Sequence, residues 1–196
     1  MLKVGVLASG RGSNLAALLQ CYQDKSISAK VMVVISDNSE AQALVKARKQ
    51  KIPAFYMDPG DYPTKAEYNL AIVERLQEYG VKLVVLAGYM RILHPLFLES
   101  FPNRVINIHP SLLPAFPGLH AQAQALNYGV KYSGCTVHFV DPGMDTGPII
   151  AQAVVPVLPN DDENLLAQRI LKEEHKLLSQ VVGWFAEGKI GLKGRQ

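Results

Sequence analysis

The sequence predicts an α/β protein with a doubly wound, mostly parallel, Rossmann-like sheet and an antiparallel strand near its C-terminal end. Three observations predict this fold class. Short runs rich in β-branched residues alternate with longer amphipathic segments, as in parallel sheets that are covered by helices. A Gly-rich turn follows the first apolar run. The 196 residues, 48% of them hydrophobic, suit a single domain that spans 1–196.

The first half of the chain contains four predicted strands. The first of them is an almost continuous apolar run, which is typical of a buried parallel strand. The helix after the Gly-rich turn has apolar residues at positions i, i+3, i+4 and i+7, and Ser13 or Asn14 is its candidate N-cap. The predicted strands are 3–8, 31–36, 54–57 and 82–87, and two further helices are predicted at 40–50 and 64–79.

The second half continues the alternation. A strand over 105–109 is followed by a proline-rich loop and by a helix over 120–127, which Gly129 ends. Two strands follow at 133–140 and 149–157, the latter antiparallel at the end of the sheet. A long helix over 163–186 then carries a stripe of buried apolar residues.

Composition excludes several classes of function. The net charge of +3 comes without a concentrated Lys/Arg run, so we expect a small phosphorylated substrate and no nucleic acid. Cys21 and Cys135 are too few for a disulfide framework, no CxxC pair indicates zinc, and we expect no metal. No apolar run approaches the roughly 20 residues of a membrane span, and a strand from Lys3 leaves no room for a signal peptide. We therefore expect a cytoplasmic protein without membrane contact, either a monomer or a homodimer.

The strand over 105–109 carries the most informative polar residues. Asn107 and His109 are two positions apart, so in an extended chain their side chains point to the same face. Pro110 favours an extended conformation at His109, and Pro114 and Pro117 stiffen the loop that follows. An amide and a titratable ring are thereby predicted side by side at the end of a sheet, although a single His in this setting is more often structural.

Further polar segments lie after other strands. The turn 9–14 has glycines that permit a close backbone approach, and the helix that follows it offers an anion site at its N-terminus. The turn is shorter than a dinucleotide fingerprint, so a monophosphate fits it better than a pyrophosphate. The segment 88–93 leaves the C-terminal end of a strand, where ligands bind in open α/β sheets, and its Arg91 is a candidate anion ligand. The loop 141–148 holds Asp145 between prolines and glycines.

In combination these motifs resemble those of the folate-dependent formyltransferases. The shared motifs are Asn-Ile-His-Pro-Ser-Leu-Leu-Pro, Pro-Gly-Leu-His, Val-His-Phe-Val and Met-Asp-Thr-Gly-Pro. Gly-Ser-Asn-Leu near the N-terminus and Leu-Ala-Gly-Tyr-Met-Arg-Ile-Leu narrow the resemblance to the phosphoribosylglycinamide formyltransferases of purine synthesis. The resemblance extends from Val4 to the final helix.

The resemblance implies specific roles for individual residues. It implies that Asn107, His109 and Asp145 are catalytic. It implies that glycinamide ribonucleotide is bound by Gly12, Ser13, Asn14 and Glu174. It implies that the co-substrate 10-formyltetrahydrofolate is contacted by Lys65, Met90, Arg91, Ile92, Leu93 and Asn107. Lys65 stands where relatives can carry an arginine, and a lysine keeps the charge but loses the bidentate geometry.

The chemistry of formyl transfer suits these residue types. As an amine attacks the formyl carbon, negative charge develops on the formyl oxygen, and Asn107 and a protonated His109 can donate hydrogen bonds to it. Asp145 would stabilise the cationic ring. His120 and His138 match histidines near the family site, where positioning and purely structural roles are both open. Ser111 does not suit a hydrolase triad, because no Gly-x-Ser-x-Gly elbow surrounds it.

Two alternatives remain at this point. Methionyl-tRNA formyltransferase and formyltetrahydrofolate deformylase share the Asn-x-His-Pro-Ser core, but relatives of each carry a further domain. A nucleotide-binding Rossmann module is the alternative of another class. Such a module needs an acidic residue about 20 residues beyond the Gly-rich turn, and Asp37 lies at a suitable distance.

Overall fold

The computed structural model describes residues 1–192 and 194, and it places seven strands in one sheet with the order β3-β2-β1-β4-β5-β6-β7. The strands are β1 Leu2–Leu7, β2 Ala29–Ser36, β3 Ala54–Tyr56, β4 Leu83–Leu86, β5 Val105–His109, β6 Tyr132–Phe139 and β7 Ile149–Pro156. The helices are α1 Ser13–Gln23, α2 Gln42–Lys49, α3 Lys65–Glu78, α4 Pro95–Ser100, α5 Ala121–Tyr128 and α6 Glu163–Ala186. The alternation that the sequence predicts is thus present.

The sheet is parallel from β1 to β5 and antiparallel beyond it. The β1–β2, β1–β4, β2–β3 and β4–β5 pairs are parallel, whereas β6 pairs antiparallel with both β5 and β7. The predicted fold class is confirmed, including the antiparallel pairing of the strand at the end of the sheet. The strand whose direction is reversed relative to all the others is β6.

Two hydrophobic layers cover the two faces of the sheet. One layer packs α1, α2 and α6 against the strands, and its fully buried residues include Leu15, Leu44 and Ile170. The other layer packs α3 and α4 against the opposite face around Ile72 and Phe97. Burial on both faces explains why β1, β2 and β4 are continuous apolar runs instead of alternating ones. Within residues 1–192, every helix is too short or too polar to span a bilayer.

Two local expectations differ from the structure. The N-cap of α1 is Gly12, and no side chain caps it, so the expectation that Ser13 or Asn14 caps this helix is wrong. The short helix α4 was not predicted; it begins with Pro95, and the ring Nδ1 of His94 accepts its Leu96 N–H at 3.3 Å. Six residues are too few to show a helical period, so only the proline and its cap could have indicated it.

The order of the strands determines where a ligand can bind. The strands β1, β4 and β5 are neighbours, and their C-terminal ends open at the same edge of the sheet. In doubly wound sheets, ligands bind at that edge, at the point where the strand order changes direction. The turn 9–12, the segment 88–93 and the end of β5 therefore meet there.

Candidate active site

A cavity of about 750 Å³ opens at this edge of the sheet. One end is formed by the turn 10–14, one wall by residues 86–93, and the other end by the end of β5 and the loop 141–145. The helix α6 closes the side of the cavity with Asn164, Gln168 and Glu174. The volume suits a small organic ligand of the size expected for a substrate or cofactor.

The cavity brings together the three residues for which catalytic roles were expected. His109 Nδ1 lies 3.3 Å from Asp145 Oδ2, and Asn107 Nδ2 lies 3.4 Å from Asp145 Oδ1. Asn107 and His109 share a face of β5, as their spacing predicts, and Asp145 reaches them from the loop after β6. The three side chains thus form one cluster, although Asn107 and Asp145 are 38 positions apart in the chain.

Both ring nitrogens of His109 face acceptors. Nδ1 faces the carboxylate of Asp145, and Nε2 lies 2.9 Å from the carbonyl oxygen of Phe116. A neutral imidazole has only one N–H, so it can satisfy only one of these acceptors, whereas an imidazolium satisfies both. The ring is buried, and the two acceptors fix its orientation.

His138 lies beside the cluster as a further member. Its Nδ1 is 2.8 Å from the carbonyl oxygen of Phe139, so this nitrogen carries the hydrogen. Its Nε2 is 3.2 Å from Asn107 Nδ2 and 3.6 Å from Asp145 Oδ1. The ring is buried and adjoins both catalytic candidates, so its position is suited to orienting the amide of Asn107.

The backbone conformation of the loops around the cluster fixes the position of Asp145. Its backbone is in the left-handed region with φ 56°, as are Phe116 with φ 54° and His120 with φ 57°. Such conformations cost non-glycine residues free energy and are concentrated at functional sites. The N–H of Gly118 donates to Asp145 Oδ2 at 2.8 Å. Burial alone would raise the pKa of Asp145, but the adjacent ring of His138, the hydrogen bond from Gly118 and the charge of His109 hold that pKa below its ordinary value.

The turn after β1 directs its N–H groups away from α2. The N–H of Ala43 donates to the carbonyl of Gly10 at 3.1 Å, and Lys46 Nζ contacts the carbonyls of Arg11 at 2.5 Å and Gly12 at 3.4 Å. In a trans peptide the N–H points away from the carbonyl of the preceding residue. Since α2 binds the carbonyls of residues 10–12, the N–H groups of 11–13 point away from α2, at the N-terminus of α1.

Gly12 has a steric reason to be glycine. Its φ is +65°, and a Cβ at this position would lie 2.7 Å from Ala43 Cα. Both the left-handed conformation and the close approach of α2 require that no side chain be present. Lys46, which contacts the carbonyl of Gly12, was missed by sequence reasoning, because no local pattern marks a lysine that reaches back 34 positions.

Asn14 and Glu174 meet beside this turn. Asn14 Nδ2 donates to Glu174 Oε2 at 2.9 Å across 160 positions of sequence. Asn14 does not cap α1 because it lies inside the helix, two residues after the N-cap Gly12. Asn14 Oδ1 is buried without a hydrogen-bond partner among the described residues. Burial raises the pKa of Glu174, although the Asn14 amide and the charge of Arg11 oppose the shift. Both residues line the cavity, as do Gly12 and Ser13.

The wall formed by 88–93 combines exposed and buried apolar residues. Met90 and Ile92 are 66% and 49% exposed, whereas Leu93 is buried. Arg91 lines the cavity, but its Nε donates to Asp37 Oδ2 at 2.8 Å. Lys65 is exposed as the first residue of α3 and is not among the residues that line the cavity. The structure thus brings together every candidate site residue except Lys65.

Ser111 and His120 are the two remaining residues that the sequence singled out. The hydroxyl of Ser111 is buried and donates to the carbonyl of Ala115 at 2.6 Å, which leaves it unsuited to act as a nucleophile for His109. His120 lines the cavity at the N-cap of α5. The structure therefore does not support a hydrolase triad.

Comparison with known proteins supports these observations. A model of the formyl transferase family matches residues 2–182. Phosphoribosylglycinamide formyltransferase of Bacillus subtilis is 43% identical over 93% of both chains. The crystal structure of glycinamide ribonucleotide transformylase 1 from Symbiobacterium toebii superposes with a TM-score of 0.98 at 53% identity, covering 100% of this chain and 92% of that one.

Some relatives are much longer than this chain. The trifunctional purine biosynthetic protein adenosine-3 of Drosophila pseudoobscura is 45% identical over 96% of this chain, but the match spans only 14% of that protein. The site described above lies within residues 2–182, which the family model matches. The sequence motifs of the chain, its fold and its similarity to relatives along nearly all of its length lead to the same conclusion: the chain belongs to the formyl transferase family.

Proposed function

We propose that this protein transfers the formyl group of 10-formyltetrahydrofolate to the amine of glycinamide ribonucleotide, in purine synthesis. The observation that carries this proposal is the cluster of Asn107, His109 and Asp145 at one end of a cavity whose other end is an anion-binding turn. Relatives that match along nearly their whole length are named for this reaction. A phosphate at the turn and a formyl group at the cluster match the two ends of the cavity.

In the proposed reaction, the substrate amine attacks the formyl carbon directly. Negative charge develops on the formyl oxygen, where hydrogen-bond donors stabilise it most. Asn107 Nδ2 can supply such a bond, because its contact with Asp145 is 3.4 Å long and therefore weak. The protonated ring of His109, held between Asp145 and the Phe116 carbonyl, adds positive charge next to the same oxygen.

The protons balance within the reaction. The attacking nitrogen becomes cationic in the tetrahedral intermediate and loses one proton, while the departing folate nitrogen gains one. The products are therefore a formamide and tetrahydrofolate, with no net uptake of protons. Because the substrate supplies the nucleophile, no serine or cysteine of the chain forms a covalent intermediate.

We propose that the two substrates occupy opposite parts of the cavity. Gly12, Ser13 and Asn14 hold the phosphate, and Glu174 lies close enough to this turn to meet the rest of the acceptor. The donor lies against Met90, Arg91, Ile92 and Leu93. The acidic tail of the folate leaves through the mouth of the cavity, where the charge of Lys65 attracts it over a distance.

An assay with both substrates tests the proposal. The purified protein is mixed with 10-formyltetrahydrofolate, and tetrahydrofolate is followed by its absorbance with and without glycinamide ribonucleotide. We expect release that depends on the acceptor and a product that carries the formyl group. Release at the same rate without the acceptor would indicate hydrolysis by water, and no release in either mixture would overturn the proposed transfer.

A further inference from the structure

The carboxylate of Asp37, outside the cavity, has no role in the chemistry proposed above. Asp37 follows β2, and its side chain is only 9% exposed. Its Oδ1 accepts the hydroxyl of Ser9 at 2.5 Å, and its Oδ2 accepts Nε of Arg91 at 2.8 Å. A charge at this depth requires such partners. Both oxygens are occupied, so Asp37 is not placed to bind a ribose as in a dinucleotide-binding module.

The hydroxyl of Ser9 extends this contact to the cavity wall. While it donates to Asp37, it accepts the backbone N–H of Met90 at 2.9 Å. One carboxylate therefore holds the segment 88–93 at two successive residues, at Met90 through Ser9 and at Arg91 directly. Neither Ser9 nor Asp37 lines the cavity, so neither is in a position to touch a substrate there.

The wall segment 88–93 depends on these bonds more than the turn 10–14, which we call the anion turn, does. Residues 88–93 belong to no helix or strand, and the side chains of Met90 and Ile92 are largely exposed. By contrast, three carbonyls of the turn are held by α2. The backbone of Ser9 is also held separately, by the Gly88 carbonyl at 3.0 Å and the Asn38 side chain at 3.1 Å. Loss of the Asp37 carboxylate would therefore loosen the wall at Met90 and Arg91 and leave the turn in place.

We infer that Asp37 and Ser9 are positioning residues that hold the wall 88–93 in the conformation that binds the folate donor. This inference rests on the proposed function, because it assigns that wall to the donor. On this inference the affinity for the donor depends on the Asp37 network, whereas the affinity for the acceptor does not.

The test uses four variants of the full chain: Asp37→Ala, Asp37→Asn, Ser9→Ala and the double variant Ser9→Ala with Asp37→Ala. Hydrogen bonds to a charged group contribute substantially to the free energy that holds the wall in place. We therefore expect Asp37→Ala to raise the donor KM about 10-fold. The acceptor KM should stay within about twofold, and Asp37→Asn, which keeps an acceptor oxygen, should have a smaller effect. Since Ser9 and Asp37 act in one network, the double variant should be no worse than the more severe single one.

Asp161 provides a matched control. Its side chain is 3% exposed and pairs with Arg169, and it is not among the residues lining the cavity. Asp161→Ala removes another partly buried aspartate–arginine pair, and it should lower the melting temperature without changing the donor KM. Equal changes of donor and acceptor KM in Asp37→Ala, or an equal donor effect in Asp161→Ala, would overturn the inference.

A binding measurement keeps this result separate from the proposed function. The dissociation constant of tetrahydrofolate is measured by calorimetry for the unsubstituted protein and for Ser9→Ala, which leaves Asp37 in place. A weaker constant in the variant supports the inference whether or not formyl transfer is observed. An unchanged constant overturns it, even if the unsubstituted protein transfers the formyl group.

Discussion

The two ends of the cavity are built in different ways. The anion turn presents backbone N–H groups, and its shape is held by bonds from α2 to the carbonyls of residues 10–12. The other end, which we call the catalytic end for its proposed role, presents the side chains of Asn107, His109 and Asp145, which come from two segments of the chain. The first end should therefore be sensitive to changes in backbone conformation, and the second to changes in side-chain charge.

The largest expected effect is at the catalytic end. Asp145→Asn removes the charge opposite His109 and keeps the shape of the side chain, so the ring loses the partner of its protonated form. We expect kcat to fall about 10²- to 10⁴-fold, the range typical of losing an acid–base group. The acceptor KM should change little, because the turn is untouched. Steady-state kinetics with both substrates measures this, and a kcat within threefold of normal would contradict the assigned role.

The next largest effect is expected at Gly12, where a substitution changes the backbone of the anion turn. Gly12→Ala adds a Cβ at φ +65° and 2.7 Å from Ala43 Cα, so the turn must move away from α2. We expect a rise in the acceptor KM of about 30-fold, equivalent to about 2 kcal/mol, and a lower melting temperature. Gly10→Ala is the control for stability, since a Cβ there meets nothing within 4 Å. An unchanged acceptor KM in Gly12→Ala would show that the turn does not bind the phosphate.

A smaller effect is expected at Lys46, whose charge contacts the turn while the backbone of the turn is left unchanged. Lys46→Met removes the ammonium that contacts the carbonyls of Arg11 and Gly12 and keeps the apolar part of the side chain. We expect the acceptor KM to rise about 5- to 10-fold with kcat nearly unchanged, because a charged hydrogen bond is lost. Lys46→Arg should recover most of the affinity. A loss in kcat without a change in KM would place Lys46 in another role.

The smallest effect concerns stability at the side of the cavity. Burial raises the pKa of Glu174, so in the folded protein its charged form is disfavoured relative to the unfolded chain. This unfavourable contribution is absent below the ordinary glutamate pKa and grows as the pH rises through the folded value. Glu174→Gln should therefore raise the melting temperature by roughly 2 °C at pH 7 and leave it unchanged near pH 4.

Thermal melts of the two proteins across this pH range measure the difference. The same substitution should weaken acceptor binding, because it removes a charge from the cavity wall. A variant that is less stable than the original at neutral pH would show that the carboxylate is stabilising, against the direction of its pKa shift.

Sequence patterns could predict the parts of this molecule that depend on local periodicity. The apolar runs of β1 and β4 indicate buried parallel strands, and the alternation of Asn107 and His109 places both on one face. Placing Asp145 beside them depended on the family resemblance as well as on its loop, because no period links residues 38 positions apart.

The remaining features are tertiary contacts that leave no local signal. Asn14 is of a residue type that favours the N-cap, but the helix begins one residue earlier and the Asn14 amide bonds Glu174 from the last helix. Lys46 and Asp37 resemble ordinary charged residues until the fold brings them to residues 35 and 28 positions earlier in the chain. Lys65 illustrates the opposite case, since a position assigned by resemblance does not line the cavity.

The contact between Asn14 and Glu174 has a consequence for biosynthesis. During translation the first turn and the β5 cluster leave the ribosome well before α6, which completes the cavity with Asn164, Gln168 and Glu174. A nascent chain therefore has no finished pocket until nearly all of its sequence has emerged. Polypeptides released before α6 would lack one wall of the pocket and would leave Asn14 without its Glu174 partner.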